Sequence, residues 1–506
     1  MPEYKNPGVY VSESAFLPKV RRGVTSRSAA AFFGEASRGP SDATLVQSWS
    51  EYKTLYGDLS QTSDLGFAVY HYFANGGRDA WINRVIGSTA VTASTTVKYY
   101  PNGSGNASAA LFTASAKSKG AWGNSLTLEF SNGNTAATGT VMPSFNLVVK
   151  LNGEEVERWN DLSPNIANSR YFVTILNNYS SYLTDVVAGA SLVANASWVF
   201  NSVATTFSSG SNGSAVQDSD YLTALNNLDA VEGVLLLNAV NKTSATIINQ
   251  FLSKAESRGN SFVIIDPDMT ASDVSTIGGS VVGSYTSSNY GAVYYPHLTM
   301  VDPSKTGPGA VRATAPGGAI AGTYVRTEIE RNVAKSPAGY NVTVRNALGL
   351  GTSFTEAQTG TLYSTYNVNV LKAVPGGGII INGARTLDKS APGKFISARR
   401  TLNYLKQALK EGTSSAVFEP NDSRLWDQLT GSVSALLGEF WRQGGLKGKN
   451  ASEAYYVICD ESNNTAVTVD NGEVHIEVGV ALQYPAEFVV INLSQWTGGS
   501  NATETL

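Results

Sequence analysis

The sequence predicts an α/β protein of several domains, and three observations carry that prediction. Apolar strands alternate with amphipathic helices over residues 21–90 and again over 213–378, the order from which parallel sheets are built. Between them, over 91–212, charges thin out and alternating strands separated by turn residues take over, which predicts an inserted β-rich domain. From residue 379 the pattern becomes strand, two helices and further strands, an α+β domain. At 506 residues the chain has room for roughly three or four domains of ordinary size.

The chain opens with Asn6-Pro7-Gly8-Val9-Tyr10-Val11-Ser12-Glu13, where Val9 and Val11 alternate with Tyr10 and Ser12 as in an exposed or half-buried strand. It is either the first strand of the local domain or an extended arm over residues 1–20 that joins a neighbour's sheet. Ala29–Gly34 reads as a buried strand, Arg38-Gly39-Pro40 as a turn, and Ser48 or Ser50 as the cap of a short helix ending at Tyr56-Gly57. A helix over Asp64–Ala74 closes at Asn75-Gly76-Gly77, and a strand follows from Asp79 to Val85. In the β-rich part, Ser125–Phe130 and Phe145–Leu151 alternate, and Asn152-Gly153 signals a hairpin.

The α/β pattern then resumes. Val231–Asn238 and Phe262–Asp266 read as buried strands around an amphipathic helix, Ile247–Arg258. Tyr294–Leu298 reads as one further strand, Pro316–Gly322 opens a helix reaching about Asn332, and strands flank Pro375-Gly376-Gly377-Gly378.

In the last domain, over 379–485, a helix from about Ser397 to Glu411 buries Ala398, Leu402, Leu405 and Leu409 and carries Arg399, Arg400, Lys406 and Lys410 on the rest of its circumference. Ala416-Val417-Phe418 reads as a short strand. A second helix, about Ser423–Gln443, follows a capping Asn or Asp and stops at Gly444-Gly445; Lys447 and Lys449 lie in the loop beyond. Tyr455–Asp460 and the stretch around Val474-His475-Ile476 read as strands. The final run, Phe488, Val489, Val490, Ile491 and Leu493 around Asn492, is apolar on nearly every residue. A strand at a chain end needs a sheet, and that sheet need not belong to the same chain, so residues 486–506 are expected to be a strand-exchange arm.

Net charge is −4, which gives no overall attraction to nucleic acid or to an anionic membrane. One cysteine, Cys459, excludes an intrachain disulfide framework and a multi-cysteine metal site. No His or Cys pair has metal-ligand spacing, and no nucleotide-binding GxxxxGK[ST] loop occurs, so no cofactor or metal is expected. The N-terminus lacks an apolar signal segment, no membrane-spanning run is present, and synthesis in a cytoplasm is expected. Asp266 stands at the carboxyl end of a buried strand, where open α/β sheets gather catalytic groups. Without a GxSxG elbow, and with only His71, His297 and His475 to choose from, a hydrolase triad is disfavoured.

Short motifs in a fixed order carry a resemblance. They are Asn382-Gly383-Ala384-Arg385-Thr386-Leu387, Ile396-Ser397-Ala398-Arg399-Arg400, Val417-Phe418-Glu419-Pro420-Asn421-Asp422 and Phe440-Trp441-Arg442-Gln443-Gly444. Pro7-Gly8-Val9-Tyr10, Tyr294-Tyr295-Pro296 and Lys335-Ser336-Pro337-Ala338-Gly339 precede them in the same order. The series resembles the sheath proteins of contractile phage tails, R-type bacteriocins and related injection systems. The resemblance implies a structural, non-enzymatic subunit that polymerises helically around an inner tail tube and contracts to drive it into a target cell. It implies a homo-oligomer, with the tube, baseplate and tail terminator proteins as partners, in a virion tail or injection-system sheath assembled in the host cytoplasm. It places the inserted domain outside and the C-terminal domain inside. Arg399, Arg400, Lys406, Lys410, Lys447 and Lys449 are then the tube-facing candidates. The rival readings are an α/β hydrolase with a β accessory domain and a secreted adhesin.

Overall fold

Nine strands form the central sheet of the computed structural model, which describes residues 28–487 apart from 61–62, 101–108, 137–142, 190–198, 201–203, 303–304, 308 and 391–392. In chain order they are β1 (Ala29–Gly34), β2 (Thr44–Val46), β3 (Ala80–Arg84), β4 (Leu235–Ala239), β5 (Ser261–Ile265), β6 (Gly291–Tyr295), β7 (Thr343–Val344), β8 (Val368–Val374) and β9 (Gly378–Asn382). Their spatial order is β7-β9-β8-β6-β5-β4-β1-β3-β2. The run from β3 to β8 is parallel throughout, and β2, β9 and β7 are antiparallel additions at the two edges. Every residue of β4, β5 and β6 is buried, which is why these strands read as continuous apolar runs with no alternation.

Helices cover both faces of this sheet. The relevant ones are α1 (Trp49–Tyr56), α2 (Asp64–Ala74), α3 (Ala245–Arg258), α4 (Gly317–Glu330), α5 (Glu356–Tyr366), α6 (Ile396–Thr413) and α7 (Ser423–Arg442). On one face α2 and α4, the latter through Tyr324, pack over Phe32, Ile264 and Tyr294; on the other α3 and α5, the latter through Leu362, pack over Phe33, Leu237 and Val293. The first pair sits very close. A Cβ on Gly318 would stand 2.0 Å from the Ala68 carbonyl oxygen, so glycine is what lets α4 lie against α2.

Between β3 and β4 the chain builds two four-stranded antiparallel sheets. One is made of Ser94–Tyr100, Ala109–Ala116, Leu183–Ala188 and Val199–Phe200; the other of Leu126–Asn132, Phe145–Leu151, Glu154–Leu162 and Thr205–Thr206. They share one apolar core that includes Leu111, Leu128, Leu147 and Phe172. Asn152 and Gly153 form the hairpin turn with φ of 52° and 87°, the left-handed pair such a turn requires. Arg84, 2% exposed, ties this unit to the body: its guanidinium donates to the carbonyls of Ala36, Ser37 and Gly39 and to that of Lys119.

In the last part, Asp422 caps α7 by accepting from the Leu425 amide at 3.0 Å, and Gly444 beyond its end has φ of 76°. Leu405, Val433, Leu437 and Phe440 form a small core between α6 and α7. An antiparallel ribbon, Tyr455–Ile458 with Glu477–Val480, packs against it through Val457, Val478 and Val480.

Three local expectations fail. Tyr294–Leu298 is two strands, β6 and Leu298–Val301, separated at the cis Tyr295–Pro296 bond; the second belongs to a different sheet. Ala416–Phe418 is no strand: a single 3-10 turn covers Ser414–Ala416, and Phe418 has φ of 70° with its side chain fully in solvent. His475 precedes its strand, which starts at Glu477. In each case an apolar or alternating run is too short for its periodicity to decide between strand and turn.

Candidate intersubunit surface

The ribbon is one element that presents backbone for pairing. Among the described residues Tyr455–Ile458 pairs only with Glu477–Val480, so each strand keeps one unpaired edge. Tyr456 is 51% exposed, and neither strand contains a fully buried residue. A two-stranded ribbon alone is marginal, and open edges accept added strands. The terminal strands expected to do this, Pro7, Gly8, Val9, Tyr10 and Val11 at one end and Phe488, Val489, Val490, Ile491 and Leu493 at the other, lie outside the described residues.

The basic set divides. Lys406, Lys410, Lys447 and Lys449 are exposed, Lys410 standing 3.6 Å from Glu232 with both side chains mostly in water. Arg399 is half-buried, stacks over Tyr290 at 4.4 Å and donates to Asn403 at 3.0 Å. Arg400 corrects the expectation, because it is 2% exposed and its charge faces inward. It lies over the Tyr324 ring at 4.7 Å and donates to Glu328 at 2.7 Å and to the Ser28 hydroxyl at 3.2 Å. The reason is the first half of α6: Ile396 enters the core of the central sheet, Asn403 donates to the Ser261 carbonyl, and this turns Arg400 toward α4. Helical periodicity showed the apolar stripe but not that a second body packs on the opposite flank.

Arg385 is buried as well, 5% exposed, and its partner is too distant in sequence for a local pattern to show. Arg385, after β9, makes two bonds to Glu487, at 2.9 and 2.7 Å, and stacks over Tyr363 of α5 at 3.9 Å. Tyr363 also donates its hydroxyl to Glu487, and Lys394 stands 3.6 Å away. Burial pushes the Glu487 carboxyl up, but Arg385, Tyr363 and Lys394 outweigh it and hold the group below the ordinary carboxylate range. To reach this point the chain leaves the ribbon, pairs Leu482 with Leu446 and lays Tyr484 on Phe395. A cleft of about 800 Å³ lined by Lys335, Tyr363, Gln443 and Tyr484 runs beside this strap.

The residues weighed for catalysis have structural employment. Asp266 accepts from the Gly317 amide at 2.7 Å, the Asn241 amide at 2.9 Å and the Asn238 side chain at 3.0 Å, which caps α4 and joins it to β4 and β5. Burial, opposed by those three donors, raises its carboxyl to about 6. His71 is buried with its Nε2 2.9 Å from the Met300 sulfur, and burial lowers it to about 4. His475 faces Glu473 in solvent at 3.0 Å. Among the described residues no group of acidic, His or Cys side chains is arranged to hold a metal, and no helix is long and apolar enough to cross a membrane. Cys459 is buried beside Asn464.

The described residues thus form a multidomain α/β body with open strand edges and two buried arginine–glutamate clusters. The sequence matches the phage tail sheath protein central domain over residues 214–387 and the phage tail sheath C-terminal domain over 388–495, more than half the chain together. The chain therefore belongs to the phage tail sheath family. It is 26% identical over 177 residues to the tail sheath protein of Vibrio phage KVP40, covering 35% of this chain and 25% of that one. It is 29% identical over 157 residues to that of Enterobacteria phage T4, covering 30% and 23%. The chain thus spans about a quarter of the length of these curated relatives. Its fold is similar to the sheath of an extracellular contractile injection system in the contracted state, with a TM-score of 0.59 and 18% identity over 98% of this chain and 99% of that one.

Proposed function

We propose that this chain is the structural subunit of a contractile tail sheath, with no catalytic role. Identical copies polymerise helically around an inner tube. A concerted rearrangement then shortens the polymer and drives the tube through a target envelope. Only head-to-tail contacts propagate without closing, and strand addition is such a contact. The observation that carries this reading is the ribbon Tyr455–Ile458/Glu477–Val480, whose two outer edges are unpaired among the described residues, in a chain whose sequence predicts strands around Val9–Val11 and Phe488–Leu493. The residue 1–20 segment and Phe488–Leu493 of neighbouring copies complete it. Main-chain hydrogen bonds to an added strand survive rotation of the rest of a subunit, so neighbours stay joined as the polymer changes shape.

In this reading the β-rich unit faces outward and the part containing α6, α7 and the ribbon faces the tube. Lys406, Lys410, Lys447 and Lys449 are the exposed cations available to an acidic tube surface. Tube, baseplate and tail terminator proteins are the partners, and the location is a virion tail or injection-system sheath. Deleting residues 1–14 or 488–506 should leave a folded monomer, by circular dichroism, that forms no sheaths under the electron microscope. Long sheaths from either truncated chain would show that the ends do not connect subunits.

A further inference from the structure

Ser28, just before β1, and Glu487, beyond the ribbon, each enter a buried arginine–glutamate cluster. At the N-terminal end, Ser28 donates its amide and hydroxyl to Glu328 of α4 at 3.1 and 2.7 Å, and Arg400 of α6 pairs with that carboxylate. At the C-terminal end, Glu487 is gripped by Arg385 through two parallel bonds, with Tyr363 and Lys394 beside it. Both pairs are nearly dry: side-chain exposures are 2% and 8% for Arg400 and Glu328, and 7% and 10% for Arg385 and Glu487. Resting on the arm reading above, we propose that these two clusters are anchors that fix the intersubunit arms to the rigid body of the subunit. A pull on an arm then ends at Ser28 or Glu487 and does not peel β1 or the strap.

The two anchors differ in what the arm contributes. Ser28 brings only neutral donors to a pair that the body already owns, Glu328 with Arg400. Glu487 brings the charge itself, so the C-terminal anchor cannot release without leaving Arg385 buried and uncompensated. A charged, two-pronged contact is stronger and more directional than a neutral bond. The C-terminal anchor is therefore the one that holds hardest. Glu487 is also reached only after the strap has crossed from the ribbon, past Leu446 and Phe395, back to the body. The anchor thus pins the ribbon's own position as well as the arm.

The test uses the full-length chain carrying Glu487→Gln, read by hydrogen exchange in the soluble protein and by dissociation of assembled sheaths in urea. The amides of Ala481 and Lys447, which hold the start of the strap by bonds of 2.8 Å, should exchange at least about tenfold faster while those of β5 do not change, and sheaths should dissociate at least about tenfold faster. Arg385→Lys keeps the charge, gives up the two-pronged contact, and decides the matter in the same two assays if the first variant does not fold. Released exchange with wild-type sheath dissociation would overturn the anchor role, as would unchanged exchange at Ala481 and Lys447. Deleting 488–506 separates the two ideas: if that chain still polymerises, the arm reading itself fails, whereas loss of polymers with unaffected Glu487→Gln sheaths sinks only the anchors.

Discussion

Replacing Arg400 by methionine should destabilise the body of the subunit far more than removing any of the exposed lysines near it. Methionine keeps most of the volume beside Tyr324 but leaves the Glu328 carboxylate, 8% exposed, with Ser28 as its remaining partner. Removing one member of a buried ion pair costs about 3–5 kcal/mol because the survivor stays charged and dry. At roughly 2–4 °C per kcal/mol for a body of this size, the body's thermal transition should fall by about 6–20 °C. Lys410→Ala is the control: Lys410 and Glu232 are 69% and 84% exposed, so its effect should stay within about 0.5 kcal/mol. A second arm isolates the pair. Arg400 Nε has no partner among the described residues, so the pair is incompletely satisfied and its replacement by apolar groups is not costly in itself. The double variant Arg400→Met, Glu328→Met should accordingly recover at least half of the loss. The assay is a melting curve followed in the near-ultraviolet, where Tyr294 and Tyr324 report the core beside the pair. Single-variant melting indistinguishable from Lys410→Ala, or a double variant worse than the single, would refute the reasoning.

Two further outcomes are expected. Asp266 rises to about 6 in the folded chain from about 3.9 unfolded, so folding favours its protonated form. Its contribution to stability is then complete below about pH 4 and is lost as pH rises through about 6, up to about 3 kcal/mol by linkage. Wild type should therefore lose stability relative to Asp266→Ala between pH 4 and 7 in paired urea titrations, and a flat difference would contradict the assigned shift. Phe418 combines full exposure with φ of 70°, a conformation that costs a bulky residue about 1–2 kcal/mol. Phe418→Gly should leave the monomer as stable or about 1 kcal/mol more stable by the same titration, whereas a clear loss would mean that the side chain packs in solution.

Much of the body was legible because its strands are buried on both faces. AAAFF in β1, LLLNA in β4 and SFVII in β5 leave no other arrangement for so much apolar side chain, and the helices between them make the sheet parallel. Caps were legible for a similar reason, since Ser48 and Asp422 act on the next turn of their own helices. What could not be read are events between distant segments. Arg385 and Glu487 stand 102 residues apart, Arg400 and Glu328 72, and no local pattern connects them. The same limit explains why Arg400 was grouped with Lys406 and Lys410. All three lie off the apolar stripe of α6, but at about 100° per residue Arg400 stands roughly 80–120° around the helix from Lys406 and Lys410; its flank, shared with Asn403 and Gln407, is buried against the body, whereas theirs is wet.

A change of neighbour along α6 also bears on how the molecule would move. Ile396 and Asn403 bind the helix's first half to the central sheet, and Leu405 with Leu409 binds its second half to α7 and the ribbon. A single uninterrupted helix of this kind transmits rotation; it does not absorb it. The strap from Leu482 to Glu487 makes a further connection between the same two bodies, as do Val333 and Ala334, which pack into the small core, and Asn332, which donates to the Gln443 carbonyl. With these connections in place, the ribbon cannot swing independently of the central sheet. In the sheath reading, the ribbon and the central sheet then move as one unit during contraction. Breaking the strap at Glu487 should loosen that coupling. Hydrogen exchange would show this as faster opening of Tyr455–Ile458 together with Ala481; protection of the ribbon unchanged in Glu487→Gln would place its restraint in α6 and residues 332–334.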